Sequence, residues 1–157
     1  MIKSLKRRKE ETVMKKTVFS SCESATADVA AKLAKKLSGG EIIALKGGLG
    51  MGKTCFVKGL ARGLGFTGEV TSPTFAIVNE YLGGRLDLFH FDMYRITGWD
   101  DLNSTGYFEY LKAGGVTAIE WSENIEGALD GENVIEVTID RVSDNERNIT
   151  ISGGIKL

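Results

Sequence analysis

The sequence predicts an α/β fold with three layers, a mixed, mostly parallel central sheet and one antiparallel hairpin. Three observations predict it. Short apolar runs of the buried-strand kind, 41–46 and 116–121, alternate with stretches whose apolar residues return at helical spacing. The octet Gly47-Gly48-Leu49-Gly50-Met51-Gly52-Lys53-Thr54 follows the first run and opens a helical stretch, fitting the pattern G-x-x-x-x-G-K-[ST]. Two extended runs, 75–82 and 85–92, flank Gly83-Gly84 like the arms of a hairpin. Strand, glycine loop and helix together make the class P-loop NTPase-like.

Taken in order, residues 1–13 contain Lys6-Arg7-Arg8-Lys9, bury little, and read as a mobile arm. A basic arm touching RNA is the functional alternative. Met14 followed by Lys15-Lys16 looks like an alternative start, and residues 14–157 read as one domain. Residues 17–20 suit a first strand. Ser24 is placed to cap a helix whose stripe is Val29, Leu33 and Leu37, ended by Gly39-Gly40. The helix after the glycine loop carries Phe56, Leu60 and Leu64 on one face, and Gly63 and Gly65 offer its stop.

Ser72-Pro73-Thr74-Phe75 then reads equally as a loop sensing a γ-phosphate or as an ordinary turn before a strand. The second hairpin arm ends in Asp92, where a strand-end acid can hold Mg²⁺ or position an attacking water. His90, the one histidine, reads as a hydrogen-bonded side chain facing a neighbouring strand rather than as a catalytic group. Two aromatic helical clusters follow, from Trp99 and around Tyr107, Phe108 and Tyr110, stopped by Gly114-Gly115. The run 116–121 brings a second acid, Glu120, to a strand end, where open α/β sheets place their ligands. Ser122 is placed to cap a short helix to Leu129. Residues 132–140 and 148–152 alternate as a closing antiparallel pair, with Arg141 and Arg147 at its turn.

The glycine loop has a plain physical logic. Its main-chain N–H groups turn inward on an oligophosphate, glycine permitting the close approach. Lys53 supplies a point charge for the β- and γ-phosphates, and the Thr54 hydroxyl can ligate Mg²⁺. The positive end of the following helix points at the same phosphates. The phosphate-contacting set therefore runs from Gly47 through Cys55, although Cys55 by itself is a small helix residue rather than a redox centre.

The 157 residues, 42% hydrophobic, suffice for one real core, and a net charge of −1 does not advertise a nucleic-acid or membrane binder. No apolar run approaches the roughly 20 residues that span a bilayer. Cys22 and Cys55 are too few for a disulfide framework or a zinc site, which points to a reducing compartment, the cytoplasm.

The glycine octet, Ser72-Pro73-Thr74-Phe75, His90-Phe91-Asp92-Met93-Tyr94-Arg95 and Ile119-Glu120-Trp121, in that order and at these separations, resemble the TsaE (YjeE) family over about residues 17–152. These are small bacterial P-loop ATPases that take part in making threonylcarbamoyladenosine beside the anticodon of tRNAs. The resemblance implies ATP as ligand, with Thr54 and Glu120 on Mg²⁺, Asp92 as the acid supporting hydrolysis, and Thr74 sensing the γ-phosphate. It further implies a role in activity for Trp121, and an approach to the nucleotide base by the segment with Glu23, Ser24 and Thr26 and by Arg147. The partners implied are TsaB and TsaD, with tRNA met indirectly. The resemblance also implies that the transfer step belongs to TsaD and that slow ATP turnover by this subunit resets the complex. The family commonly carries an acid where Gly48 stands and a small residue where Met51 stands. A P-loop small-molecule kinase and a nucleotide-gated adaptor are the competing readings.

Overall fold

The computed structural model describes residues 2–3, 14–48, 50–73 and 76–154. Seven strands form one sheet: β1 (Met14–Ser20), β2 (Ile42–Lys46), β3 (Val78–Tyr81), β4 (Leu88–Asp92), β5 (Val116–Glu120), β6 (Val134–Arg141) and β7 (Arg147–Gly153). Their spatial order is β1-β7-β6-β2-β5-β4-β3. The inner four, β6, β2, β5 and β4, are mutually parallel, while β1, β7 and β3 pair antiparallel at the flanks. The glycine loop thus leaves a strand with parallel neighbours on both sides. β5 is buried throughout and β2 nearly so, which is why both read as unbroken apolar runs.

Side chains of successive residues leave opposite faces of a strand, so β2 feeds two cores. Ile43 and Leu45 pack with α1 (Glu23–Ala34) and α2 (Lys53–Gly63), among Leu33, Phe56, Val57 and Leu60. Ile42 faces the other way, into a cluster with Phe91, Leu102, Tyr107 and Ile125. That second layer is built from α3 (Trp99–Ser104), α4 (Tyr107–Lys112) and a 3₁₀ helix (Ser122–Leu129). Helices on both faces complete the three layers.

Several local expectations are corrected by packing. Gly63 is the last residue of α2, as the expected stop requires, but it is also a packing position. A Cβ on Gly59 would stand 2.2 Å from the Ala27 carbonyl oxygen, and one on Gly63 would stand 2.7 Å from that of Ala31. The glycines let α2 lie directly on the alanine face of α1, and Gly65, with φ +90°, makes the turn away. Ser24 is exposed rather than a cap; the N-cap position of α1 is Cys22. The hairpin joins Tyr81 to Leu88 through residues 82–87 rather than through a two-glycine turn. Arg85 ties this link down, its guanidinium donating to Ala34 O at 2.8 Å and Leu37 O at 2.9 Å beyond the end of α1. Ser122 does not cap the 3₁₀ helix either: its hydroxyl is buried with no hydrogen-bond partner among the described residues. At the other end of the chain, Ile2 is buried on this helix, donating to Asn124 O and accepting from the Gly127 N–H.

Candidate active site

Because β2, β5 and β4 run parallel, their carboxyl ends share one edge of the sheet, and the strand-end residues meet there. Register places Asp92 directly opposite Glu120, and Leu45 of β2 on the other side of Glu120. The chain leaves Lys46 into Gly47, whose φ is +146° and whose hypothetical Cβ would stand 2.8 Å from Ile139 O on β6. Among the described residues, chain neighbours aside, no atom lies within 4 Å of a Cβ built on Gly50 or Gly52. The loop is thus tight where it passes β6 and open above the helix. Gly52 is the N-cap of α2 and adds no side-chain cap, leaving first-turn N–H groups directed at that space.

Lys53, only 8% exposed, donates to Gly47 O at 3.0 Å and lies 4.0 Å from Glu120 Oε1. Its ammonium also stands 5.3 Å from the Trp121 ring centroid. A buried cation is tolerable only with such company. Trp121 owes its place to a φ of +59°, a left-handed turn rare for a bulky residue, which swings the indole off the end of β5. There it meets Tyr94 edge-on at 4.9 Å.

The two acids differ in surroundings. Glu120 is buried and accepts from His90 Nε2 through Oε2 at 2.9 Å. Asp92 is half-buried, its Oδ1 accepting the Tyr94 N–H at 2.9 Å. Thr54 sits half-buried in the first turn of α2. One hydroxyl and two carboxylates make an all-oxygen donor set, which suits Mg²⁺, an ion that keeps waters and needs only one or two carboxylates beside phosphate oxygens. Among the described residues no three His, Cys, Asp or Glu side chains form a closed cage.

The family model described as "Threonylcarbamoyl adenosine biosynthesis protein TsaE" matches residues 20–149. The chain belongs to the TsaE family. The tRNA threonylcarbamoyladenosine biosynthesis protein TsaE of Bacillus subtilis (strain 168) is 44% identical over 113 residues, 72% of this chain and 70% of that protein. The TsaE protein of Aquifex aeolicus (strain VF5) is 37% identical over 138 residues, 87% of this chain and 95% of its own length. A crystal structure of Bacillus subtilis YdiB superposes with a TM-score of 0.76 at 35% identity, covering 92% of this chain and 88% of the other.

Against this TsaE frame, the remaining residues expected at the site divide. Leu49 and Thr74 lie outside the described residues. Pro73 O accepts from the Ala76 and Ile77 N–H groups, and Ile77 O accepts from the Asp92 N–H at 2.8 Å, so the loop's far side is tied to the acid on β4. Thr26 is buried, its hydroxyl 2.7 Å from that of Ser20. From the same segment, the Glu23 carbonyl accepts from Cys55 Sγ at 3.0 Å, at the start of α2. Burial, and secondarily the Glu23 charge, push the Cys55 thiol up from its ordinary value. Arg147 bridges its own turn and the glycine loop: its guanidinium donates to Ser143 O at 2.7 Å and Glu146 O at 2.8 Å, and to Met51 O and Gly50 O at 3.3 Å each. Met51, where the family commonly has a small residue, packs its side chain onto the core beneath. The strut through Arg147 carries no motif. Its only sequence signal is a lone arginine opening the last strand.

An apolar groove of about 430 Å³ lies elsewhere, floored by Val18, Val29, Leu33 and Ile151 with lysines around it, and no site residue lines it. Among the described residues no helix is long and apolar enough to cross a membrane.

Proposed function

We propose that this chain binds Mg-ATP and hydrolyses it as a subunit acting in threonylcarbamoyladenosine modification of tRNA, slow alone and stimulated by TsaB and TsaD. The observation that supports this best is the meeting of Lys53, Glu120 and Asp92 at one sheet edge beside an open glycine loop, in a chain of the TsaE family. The main-chain N–H groups of residues 47–54 receive the phosphates, and Lys53 exchanges Gly47 O and Glu120 for β- and γ-phosphate oxygens. Arg147 keeps the Gly50 and Met51 carbonyls turned to its own side. Thr54 and Glu120, with Asp92 directly or through water, would hold Mg²⁺. When bound, the ion neutralises charge on the phosphate oxygens. Asp92 orients a water for in-line attack on the γ-phosphorus; the bond to the bridging oxygen breaks, and ADP and phosphate leave. Thr74 reports the γ-phosphate to the loop that Ile77 ties to Asp92.

An arginine supplied by a partner can add roughly 10³–10⁵ in rate, consistent with a slow lone subunit. A kinase with an arginine-rich lid fits less well. Arg147 is committed to loop carbonyls, and Arg141 pairs with Asp144.

The test is phosphate release from ATP with and without TsaB and TsaD, for the wild type and Lys53→Ala. Stimulation by the partners is expected, with loss of at least about 10²-fold in the variant. Turnover unaffected by the substitution would remove Lys53 from the chemistry. Transfer of the γ-phosphoryl group to a metabolite, without phosphate release, would favour the kinase.

A further inference from the structure

His90 is fully buried in β4, an otherwise apolar strand apart from Asp92. An imidazole in such a place costs free energy unless its polar atoms are bonded. Nδ1 has no partner among the described residues, whereas Nε2 lies 2.9 Å from Glu120 Oε2. The whole polar capacity of the ring that finds a partner is thus directed at one carboxylate oxygen. Since a carboxylate accepts, Nε2 carries the proton of that bond.

Strand register explains the reach. His90 is paired with Ala118, and Glu120 lies two residues further along β5 on the same face, the diagonal neighbour across a parallel pair. The small Ala118 leaves the path to Glu120 clear. The two oxygens of Glu120 become unlike: Oε2 is held from below by His90, while Oε1 stands 4.0 Å from Lys53, toward the loop.

We infer that His90 is a positioning residue for a magnesium site, fixing the Glu120 carboxylate with Oε1 left toward Lys53 and the glycine loop, where the carboxylate would serve the ion. This rests on the reading of Glu120 as a metal-binding group. Partners of this kind behind a ligand typically govern metal affinity by about 10–100-fold. A structural role alone would affect stability and nucleotide binding with and without metal alike.

The experiment measures binding of a fluorescent ATP analogue to the full chain, in Mg²⁺ and in EDTA, for the wild type, Glu120→Gln, His90→Asn and His90→Gln, with thermal unfolding of each. Gln can set an amide N–H near the place of Nε2; Asn is too short. His90→Asn is expected to weaken Mg²⁺-dependent binding roughly 10–100-fold with little change in EDTA, and His90→Gln to recover most of the loss. Titration of Mn²⁺ into the nucleotide complexes, followed by its paramagnetic signal, should show the same order without any turnover. If Glu120→Gln loses Mg²⁺-dependent binding and both His90 variants retain it, the positioning role falls and the metal site stands. If Glu120→Gln is indifferent to metal, the metal reading itself fails. Should His90→Asn prove unfolded, His90→Leu, which fills the space without an N–H donor, takes its place: Mg²⁺-dependent affinity there equal to the wild type overturns the inference.

Discussion

Asp92 and Glu120 are the same chemistry on adjacent strands, one residue pair apart in no direction but across the sheet, yet they sit in opposite conditions. Glu120 is buried, anchored by His90 from one side and facing Lys53 on the other. Asp92 is half-buried, held only lightly by the next turn's N–H, and lies where the Ile77 carbonyl ties the preceding loop to its strand. A carboxylate fixed before its ligand arrives gives up little on binding, which suits holding an ion. One with freedom to adjust suits engaging a water during reaction. On the proposed roles, the difference would make burial and anchoring, not residue type, the basis on which the two acids divide the labour.

The sharpest way to break that division is to neutralise each acid in turn. Asp92→Asn is expected to cut partner-stimulated turnover by roughly 10²–10⁴-fold, the range for a group handling the reacting water. Its affinity for Mg-nucleotide should change far less. Glu120→Gln should do the reverse, lowering Mg²⁺-dependent affinity by about 10–100-fold while metal-free binding stays near the wild type. Steady-state turnover beside binding in Mg²⁺ and EDTA reads both. Identical profiles for the two variants would dissolve the comparison.

Arg147, on the opposite flank of the loop, supplies the contrast in metal dependence. It touches loop carbonyls rather than acids, so Arg147→Ala should weaken nucleotide binding equally with and without Mg²⁺ and lower stability by about 1–3 kcal/mol. Arg147→Lys keeps the charge but not the fork that spans Gly50 and Met51, and should recover little. A metal-dependent loss would place Arg147 with the acids instead.

Much of this arrangement is legible in the chain. The run before Gly47, the octet and the amphipathic stretch after it fix the local strand, loop and helix, because each obeys a short-range rule. Asp92 and Glu120 are visible as acids closing apolar runs. What the chain does not display is which atoms face which across the sheet. His90 reads correctly as a bonded side chain, but its partner is Glu120 only because β4 and β5 are neighbours with Asp92 opposite Glu120. Gly63 is legible only in part for a similar reason. As the last residue of α2 it fits the stop reading, which hides that it is also where α2 packs on the alanine face of α1. Arg147 is missed as a strut since its contacts run to main-chain oxygens, which leave no complementary residue in the sequence.

The smallest effect probes the third side of the loop, where neither acid reaches. Cys55 follows Thr54, gives its hydrogen bond to Glu23 O, and is screened by α1, while Cys22 is exposed at the N-cap position of that helix. The attacking species in alkylation is the thiolate, and a thiol pushed up by burial and by the Glu23 charge holds less of it at any pH below its own midpoint. Cys22, being exposed, is therefore expected to react with iodoacetamide before Cys55 at neutral pH, with steric cover of Cys55 adding to the gap. Raising the pH should narrow the part due to ionisation and leave the part due to cover. Peptide mapping of single-cysteine variants separates the two. If Cys55 reacts as fast as Cys22, α1 does not cover this side of the loop, and the contrast between a half-buried Cys55 and an exposed Cys22 falls.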